Sequence, residues 1–173
     1  MRSRLIIMGS VAVALGLAAG IAAAPSSASE EPPPPIAVEP LTPMSEFTDD
    51  VSGQLKLKLD GRATDVIGVS DASRTVVAKI TLQPGARFPW HTHPGPVVAN
   101  VAAGELVYVY ASDCVDRPYA AGEAFVDPGH GNVHTAVNRT NDVAVVYATF
   151  FEVPPGGPLT ITEGIEAPAD CEL

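Results

Sequence analysis

The sequence is poor in aromatic residues (6%) and in charge (17%), and it holds only two cysteines, one tryptophan and four histidines. Ten Lys and Arg stand against twenty Asp and Glu, a net charge of −10, and no stretch gathers the basic residues. A phosphate-neutralising surface is therefore excluded, and nucleic acid with it. Anionic lipid headgroups are disfavoured on the same ground. No Gly-x-Ser-x-Gly elbow, phosphate-binding glycine loop or dinucleotide fingerprint occurs, which removes the common hydrolase and nucleotide schemes. After residue 45 no window carries an amphipathic helical stripe over three turns, and no long internal repeat is found.

What is present divides along the chain. Residues 5–24 carry no charge and inflate both the hydrophobic fraction of 46% and the mean hydropathy of +0.19. The basic start Met1-Arg2-Ser3-Arg4, this apolar run and the small residues Pro25 to Ser29 follow the order of a secretory signal peptide, with cleavage expected after Ala28. The expected location is secreted or extracytoplasmic. An uncleaved leader acting as a membrane anchor is the alternative, disfavoured by its Gly and Ala content. Losing Arg2 and Arg4 leaves eight basic against twenty acidic residues, or −12. Residues 29–45, with Pro32 to Pro35, Pro40 and Pro43, read as a disordered, extended spacer. Residues 46–173 then form one domain with a C-terminal tail, a comfortable size for a single core. In an exported protein, Cys114 and Cys171 read as a disulfide closing a loop of 57 positions (171 − 114).

From Gln54 onward the pattern is period two or short β-branched runs. Leu55, Leu57 and Leu59 alternate with Lys56 and Lys58 before the Asp60-Gly61 turn. Further strands are expected at 66–69, 75–82, 97–101, 106–110, 124–126, 133–137 and 143–151. Breakers separate them at Gln83-Pro84-Gly85, Pro94-Gly95-Pro96, Ala103-Gly104 and Asp127-Pro128-Gly129. Strands so spaced, with no amphipathic helix between them, predict an all-β sandwich or barrel.

Three histidines fall within this pattern. Residues i and i+2 of a strand point to one face, so His91 and His93 can converge on one point, with His134 facing them from a later strand. Three imidazoles with open positions beside them are a common catalytic metal arrangement.

These residues resemble the two motifs of the cupin superfamily. Gly85, His91, His93 and Gly104 match Gly-x5-His-x-His-x3-Glu-x6-Gly, with Val97 in the Glu position. Gly122, Pro128, Gly131, His134 and Asn138 match Gly-x5-Pro-x-Gly-x2-His-x3-Asn, with one extra residue between Pro128 and Gly131. The likeness covers about residues 75–152. It implies a single cupin-type jelly-roll barrel, metal ligands at His91, His93 and His134, and turn-forming roles for Gly85, Gly104, Pro128 and Gly131. The metal would be divalent: iron, manganese, zinc or nickel. A homodimer formed through the sheets is a further implication.

Val97 removes the only carboxylate that the family supplies to the metal. Three neutral imidazoles would leave the ion's charge uncompensated, so an anionic or chelating small molecule is the expected ligand. Two functions follow: a metal-dependent, dioxygenase-like oxidoreductase acting on a small anionic molecule, or a non-catalytic cupin binding a small ligand or metal outside the cytoplasm. His130, Tyr108 and Tyr110 are candidates for the pocket. For His130 an exposed turn position is the competing reading, and for the tyrosines ordinary barrel packing. Trp90 is expected to point away from the metal.

Overall fold

The computed structural model describes residues 35–70, 72 and 74–171. The expected signal peptide and the prolines Pro32 to Pro34 lie outside the described residues. Eleven strands make up the described secondary structure: β1 (Ile36–Pro40), β2 (Ser45–Glu46), β3 (Gly53–Lys58), β4 (Thr64–Val69), β5 (Arg74–Leu82), β6 (Val97–Ala103), β7 (Glu105–Tyr110), β8 (Asp116–Ala120), β9 (Ala124–Asp127), β10 (His134–Val137) and β11 (Ala144–Phe150). Every pairing is antiparallel. The large sheet runs β1-β5-β11-β6-β9, with β2 also on β5; a second sheet runs β10-β7-β8, and β3 pairs with β4 alone. The fold is an all-β jelly roll: all-β as the strand spacing predicts, and a jelly roll as the resemblance implies.

Alternation sets the inner face. On β11, Ala144, Val146, Ala148 and Phe150 are buried while Tyr147 is exposed, and Val97, Ala99 and Val101 do the same on β6. Ala144, Val146, Ala99 and Val101 meet Leu106 and Ala136 from the smaller sheet in one apolar cluster with Leu82, while Ala148, Phe150 and Val97 pack with Val76, Ala78 and Val153 in a second. β7 is buried on both faces: Val107 and Val109 pack with Val137 under Trp90, outside the cavity, where strand alternation placed that indole. Gly104 joins β6 to β7 at φ 69°, and a Cβ there would lie 2.6 Å from the Val143 carbonyl oxygen. Only glycine fits that turn.

Three strands depart from the expected pattern, among them the two-residue β2 at the end of the stretch read as spacer. Ile36–Pro40 lies inside the stretch read as spacer, yet it pairs with β5 from Ile36↔Leu82 to Pro40↔Ala78. The run Ile36-Ala37-Val38 is apolar, and Pro40 is tolerated because β1 is an edge strand. β8 holds Pro118 and was likewise masked by its polar composition; it too is an edge strand, on β7. The disulfide Cys114–Cys171 is present, with Cα atoms 5.2 Å apart.

Candidate metal centre

His91 and His134 form an antiparallel bridge, each backbone N–H donating to the other's carbonyl at 2.9 Å. Their rings lie 4.1 Å apart between centroids, and His93 is 5.0 Å from both. All three are buried, with one nitrogen from each lying within 4.8 Å of the others. The sequence pattern thus brings its three ligand candidates together.

The second nitrogen of each ring is already engaged. His91 Nδ1 contacts the Pro89 carbonyl at 2.8 Å and His93 Nδ1 the Leu159 carbonyl at 2.7 Å, while His134 Nδ1 faces two acceptors, the Asn132 carbonyl at 3.3 Å and Asp127 Oδ2 at 3.0 Å. Carbonyl and carboxylate oxygens accept only, so each Nδ1 carries the proton in a neutral ring and Nε2 keeps its lone pair. Burial, then the neighbouring His134 and His93, push the His91 pKa down to about 3. Burial lowers that of His93 as well, against the opposing pull of Asp127. Neutral imidazoles with oriented Nε2 atoms are the form a metal ion requires. The donor set fits a divalent ion of the borderline class, iron, manganese, zinc or nickel among them.

Asp127 is the site residue that the sequence reading missed. Its signal was absorbed by the Asp-Pro-Gly turn. It is 2% exposed at the end of β9 and lines the cavity. Burial alone would raise its pKa, but the hydrogen bond from His134, the neighbouring His93 and the Tyr108 hydroxyl hold it at about 2. Tyr108 donates a short hydrogen bond to Asp127 Oδ2, and its ring stacks on His134 at 4.8 Å. Burial and the adjacent carboxylate push the Tyr108 pKa well up, so its hydroxyl keeps its proton.

The remaining candidates separate. Tyr108 lines the cavity; Tyr110, on the same strand face, sits one step beyond it, with the Arg62 and Arg117 guanidiniums 5.1 and 4.9 Å from its ring centroid. His130 does not line the cavity: its Nε2 lies 2.5 Å from Glu152 Oε2, and its side chain is 45% exposed. Asn138 is fully buried and structural, donating to the Leu82 and Asp142 carbonyls and accepting from Thr140.

The cavity lies between the two sheets and has a volume of about 70 Å³. The three histidines, Tyr108, Asp127 and Thr160 form its polar part; aliphatic and phenyl side chains such as Ile80, Leu82, Val146 and Phe150 form the rest. Among the described residues no Lys or Arg lines it.

A jelly roll with a buried three-histidine group at its centre defines a class of small β proteins whose interior could hold a metal ion. Residues 78–157 match the cupin domain family, and this part of the chain is a cupin domain. No curated protein matches the chain. Similar solved structures include the polyketide cyclase RemF from Streptomyces resistomycificus (20% identity, TM-score 0.45, covering 54% of this chain and 64% of that one). Others are KdgF from Halomonas sp. (16%, TM-score 0.44, covering 69% and 82%) and a cupin superfamily protein from Desulfitobacterium hafniense (11%, TM-score 0.40, covering 61% and 82%). These likenesses concern the course of the backbone only.

Proposed function

We propose that this protein is a metal-dependent, dioxygenase-like cupin, secreted or otherwise extracytoplasmic, whose substrate is a small molecule with one anionic donor and an apolar body. The observation that carries this reading is the tying of all three Nδ1 atoms, which leaves three Nε2 lone pairs at one end of an apolar chamber. His91, His93 and His134 would hold the ion, and when bound it would supply Lewis acidity and, for iron or manganese, electron exchange with O₂. The apolar walls hold the substrate's body and exclude water. Tyr108, protonated and aimed at Asp127, restricts the polar end to a narrow donor group. At about 70 Å³ the cavity has room for about five waters or a ligand of comparable size.

A second reading, a cupin that binds its ligand without transforming it, is favoured by one observation. The Asp127 oxygens are occupied by Tyr108, His134 and the Gly129 N–H, which leaves no free base in the cavity. Elemental analysis of the purified protein, set against a His91→Ala/His93→Ala variant, tests the metal. Oxygen uptake with a panel of short apolar carboxylates, thiols and diketones then tests the reaction. Near-stoichiometric metal lost in the variant, with oxygen uptake by the loaded protein, is expected. Equal trace metal in both samples would overturn the metal site; full metal without oxygen uptake would favour the second reading.

A further inference from the structure

The two places where this chain departs from the cupin motifs meet at one carboxylate. Val97, in the position of the motif Glu, is the Cα partner of Asp127 in the β6–β9 pairing. Directly paired residues of antiparallel strands present their side chains on one face, with Cβ atoms about 5 Å apart, and both of these line the cavity. A carboxylate is thus absent from one strand and present immediately across from it on the next.

The second departure, the extra residue after Pro128, builds the holder for that carboxylate. Gly129, His130 and Gly131 have φ of 62°, 50° and 84°, three consecutive left-handed residues. This tight turn carries the Gly129 N–H to 2.6 Å from Asp127 Oδ1 and places Asn132 Nδ2 3.4 Å from Oδ2. A Cβ on Gly129 would stand 2.0 Å from the Gly95 carbonyl oxygen, so the turn is pressed against the chain that follows His93. Oδ2 faces Tyr108 and His134. A carboxylate 2% exposed is held in place by a peptide N–H, a phenol and an imidazole. Burying an ion in this way is justified only where its charge is used or fully compensated.

We propose that Asp127 is the relocated carboxylate of the metal centre. It is a positioning residue that, together with the Asn132 carbonyl, fixes His134 in the tautomer offering Nε2. It also supplies, through that ring rather than by direct ligation, the negative charge that the motif places at position 97. The inference rests on the metal reading above. Hydrogen-bonded carboxylates behind a ligating imidazole raise its basicity, and losing one lowers metal affinity about 10- to 100-fold.

The test uses Co²⁺ as the probe, with affinity read by chelator competition and the ligand field by visible absorption. It compares the full-length wild type, Asp127→Asn, Val97→Glu and the double variant, each checked for folding by circular dichroism. Asp127→Asn should bind Co²⁺ about 10- to 100-fold more weakly with a shifted spectrum. Val97→Glu in that background should recover at least tenfold, because the carboxylate returns from the partner strand. Wild-type affinity in Asp127→Asn, or a loss that Val97→Glu does not recover in a folded protein, would reduce Asp127 to a turn-forming role and overturn the proposal. Should Asp127→Asn not fold, Val97→Glu alone decides: a gain below tenfold agrees with charge already compensated, and a larger one contradicts it. His91→Ala/His93→Ala separates the two levels: if it also leaves Co²⁺ affinity unchanged, the metal reading itself has failed.

Discussion

Removing the disulfide gives the most quantitative prediction, because the bond anchors a segment that reaches the three-histidine group. After β11 the chain returns across the cavity. The Leu159 carbonyl orients His93, Leu159 and Thr160 line the cavity wall, and Ile161 and Thr92 exchange backbone hydrogen bonds of 2.8 and 3.0 Å. Beyond Ile161 the chain turns on itself and reaches Cys171, fixed to Cys114 where the Cys114 N–H meets the Tyr110 carbonyl at the end of β7. The bond closes a loop of 57 positions. In the loop-entropy account it removes about 14 cal/mol/K from the unfolded chain, or about 4 kcal/mol at 25 °C. For a folded part of this size each kcal/mol moves Tm by about 3 °C, so Cys114→Ser/Cys171→Ser should melt about 12 °C lower than the oxidised wild type. Scanning calorimetry of both proteins without metal provides the measurement. Limited proteolysis below the melting temperature should also cut the variant first within residues 162–170, while Thr92 and Ile161 still hold the preceding stretch. A fall of less than about 3 °C, with unchanged proteolysis, would refute the reasoning: the segment would then be held by the Thr92–Ile161 exchange and the His93 contact alone.

Gly129→Ala should lower Tm by about 6 °C or more. A left-handed φ costs a non-glycine residue about 1–2 kcal/mol, and the new Cβ meets the Gly95 backbone at 2.0 and 2.3 Å. Gly122→Ala, also at positive φ but with nothing within 4 Å, carries the conformational cost alone; equal losses in a thermal melt would show that the contact with Gly95 is unimportant. The metal-free protein should also lose stability in mild acid. His91 is neutral in the fold down to about pH 3, whereas the unfolded chain takes up its proton near the ordinary value of about 6.5. Between those values the unfolded state binds more protons, so stability is intact above about pH 6.5 and falls by up to about 1.4 kcal/mol per pH unit below it, with His93 acting in the same direction. Urea midpoints at pH 7, 6 and 5 should decline in order, and a midpoint constant across this range would contradict the neutral, buried imidazoles.

Most of the barrel was legible because its inner face is written in period two. β5, β6, β7 and β11 alternate or run apolar between Gly and Pro breakers, and their observed bounds fall within about two residues of those expected. β1 and β8 were illegible because each carries a proline, which marks a break in a central strand but is admissible at an edge; edge position is a property of the assembled sheet. The histidine triad was legible from i, i+2 geometry and motif spacing. Tyr110 was a pocket candidate on the same alternation as Tyr108, with ordinary packing the alternative for both, but alternation gives the face and not the depth. One residue pair further along β7, the strand has left the cavity and lies under Arg62 and Arg117. Asp127 was lost for a different reason. Asp-Pro-Gly is a turn signal in its own right, and the Oδ1 contact with Gly129 is a turn contact. Its second oxygen, facing His134 from across Val97, depends on a strand pairing of residues thirty positions apart (127 − 97).

That pairing changes the electrostatic argument about the ligand. Without Val97's missing Glu, three neutral imidazoles would present a dication with its full charge, which favours any strong anion regardless of shape. With Asp127 ionised beside His134, the proposed centre carries a net charge of about one, and a single anionic donor brings the buried cluster to neutrality. A second negative charge would enter a chamber lined by no Lys or Arg among the described residues, inside a protein of net charge −10, and would find no partner. A metal centre of this kind would select by charge count as well as by size. A monoanion whose remaining surface is apolar would satisfy both the metal and the walls, while a compact dianion would satisfy only the metal. Position 97 and position 127 together set this preference, since moving the carboxylate from one strand to the other frees a coordination position without removing the charge.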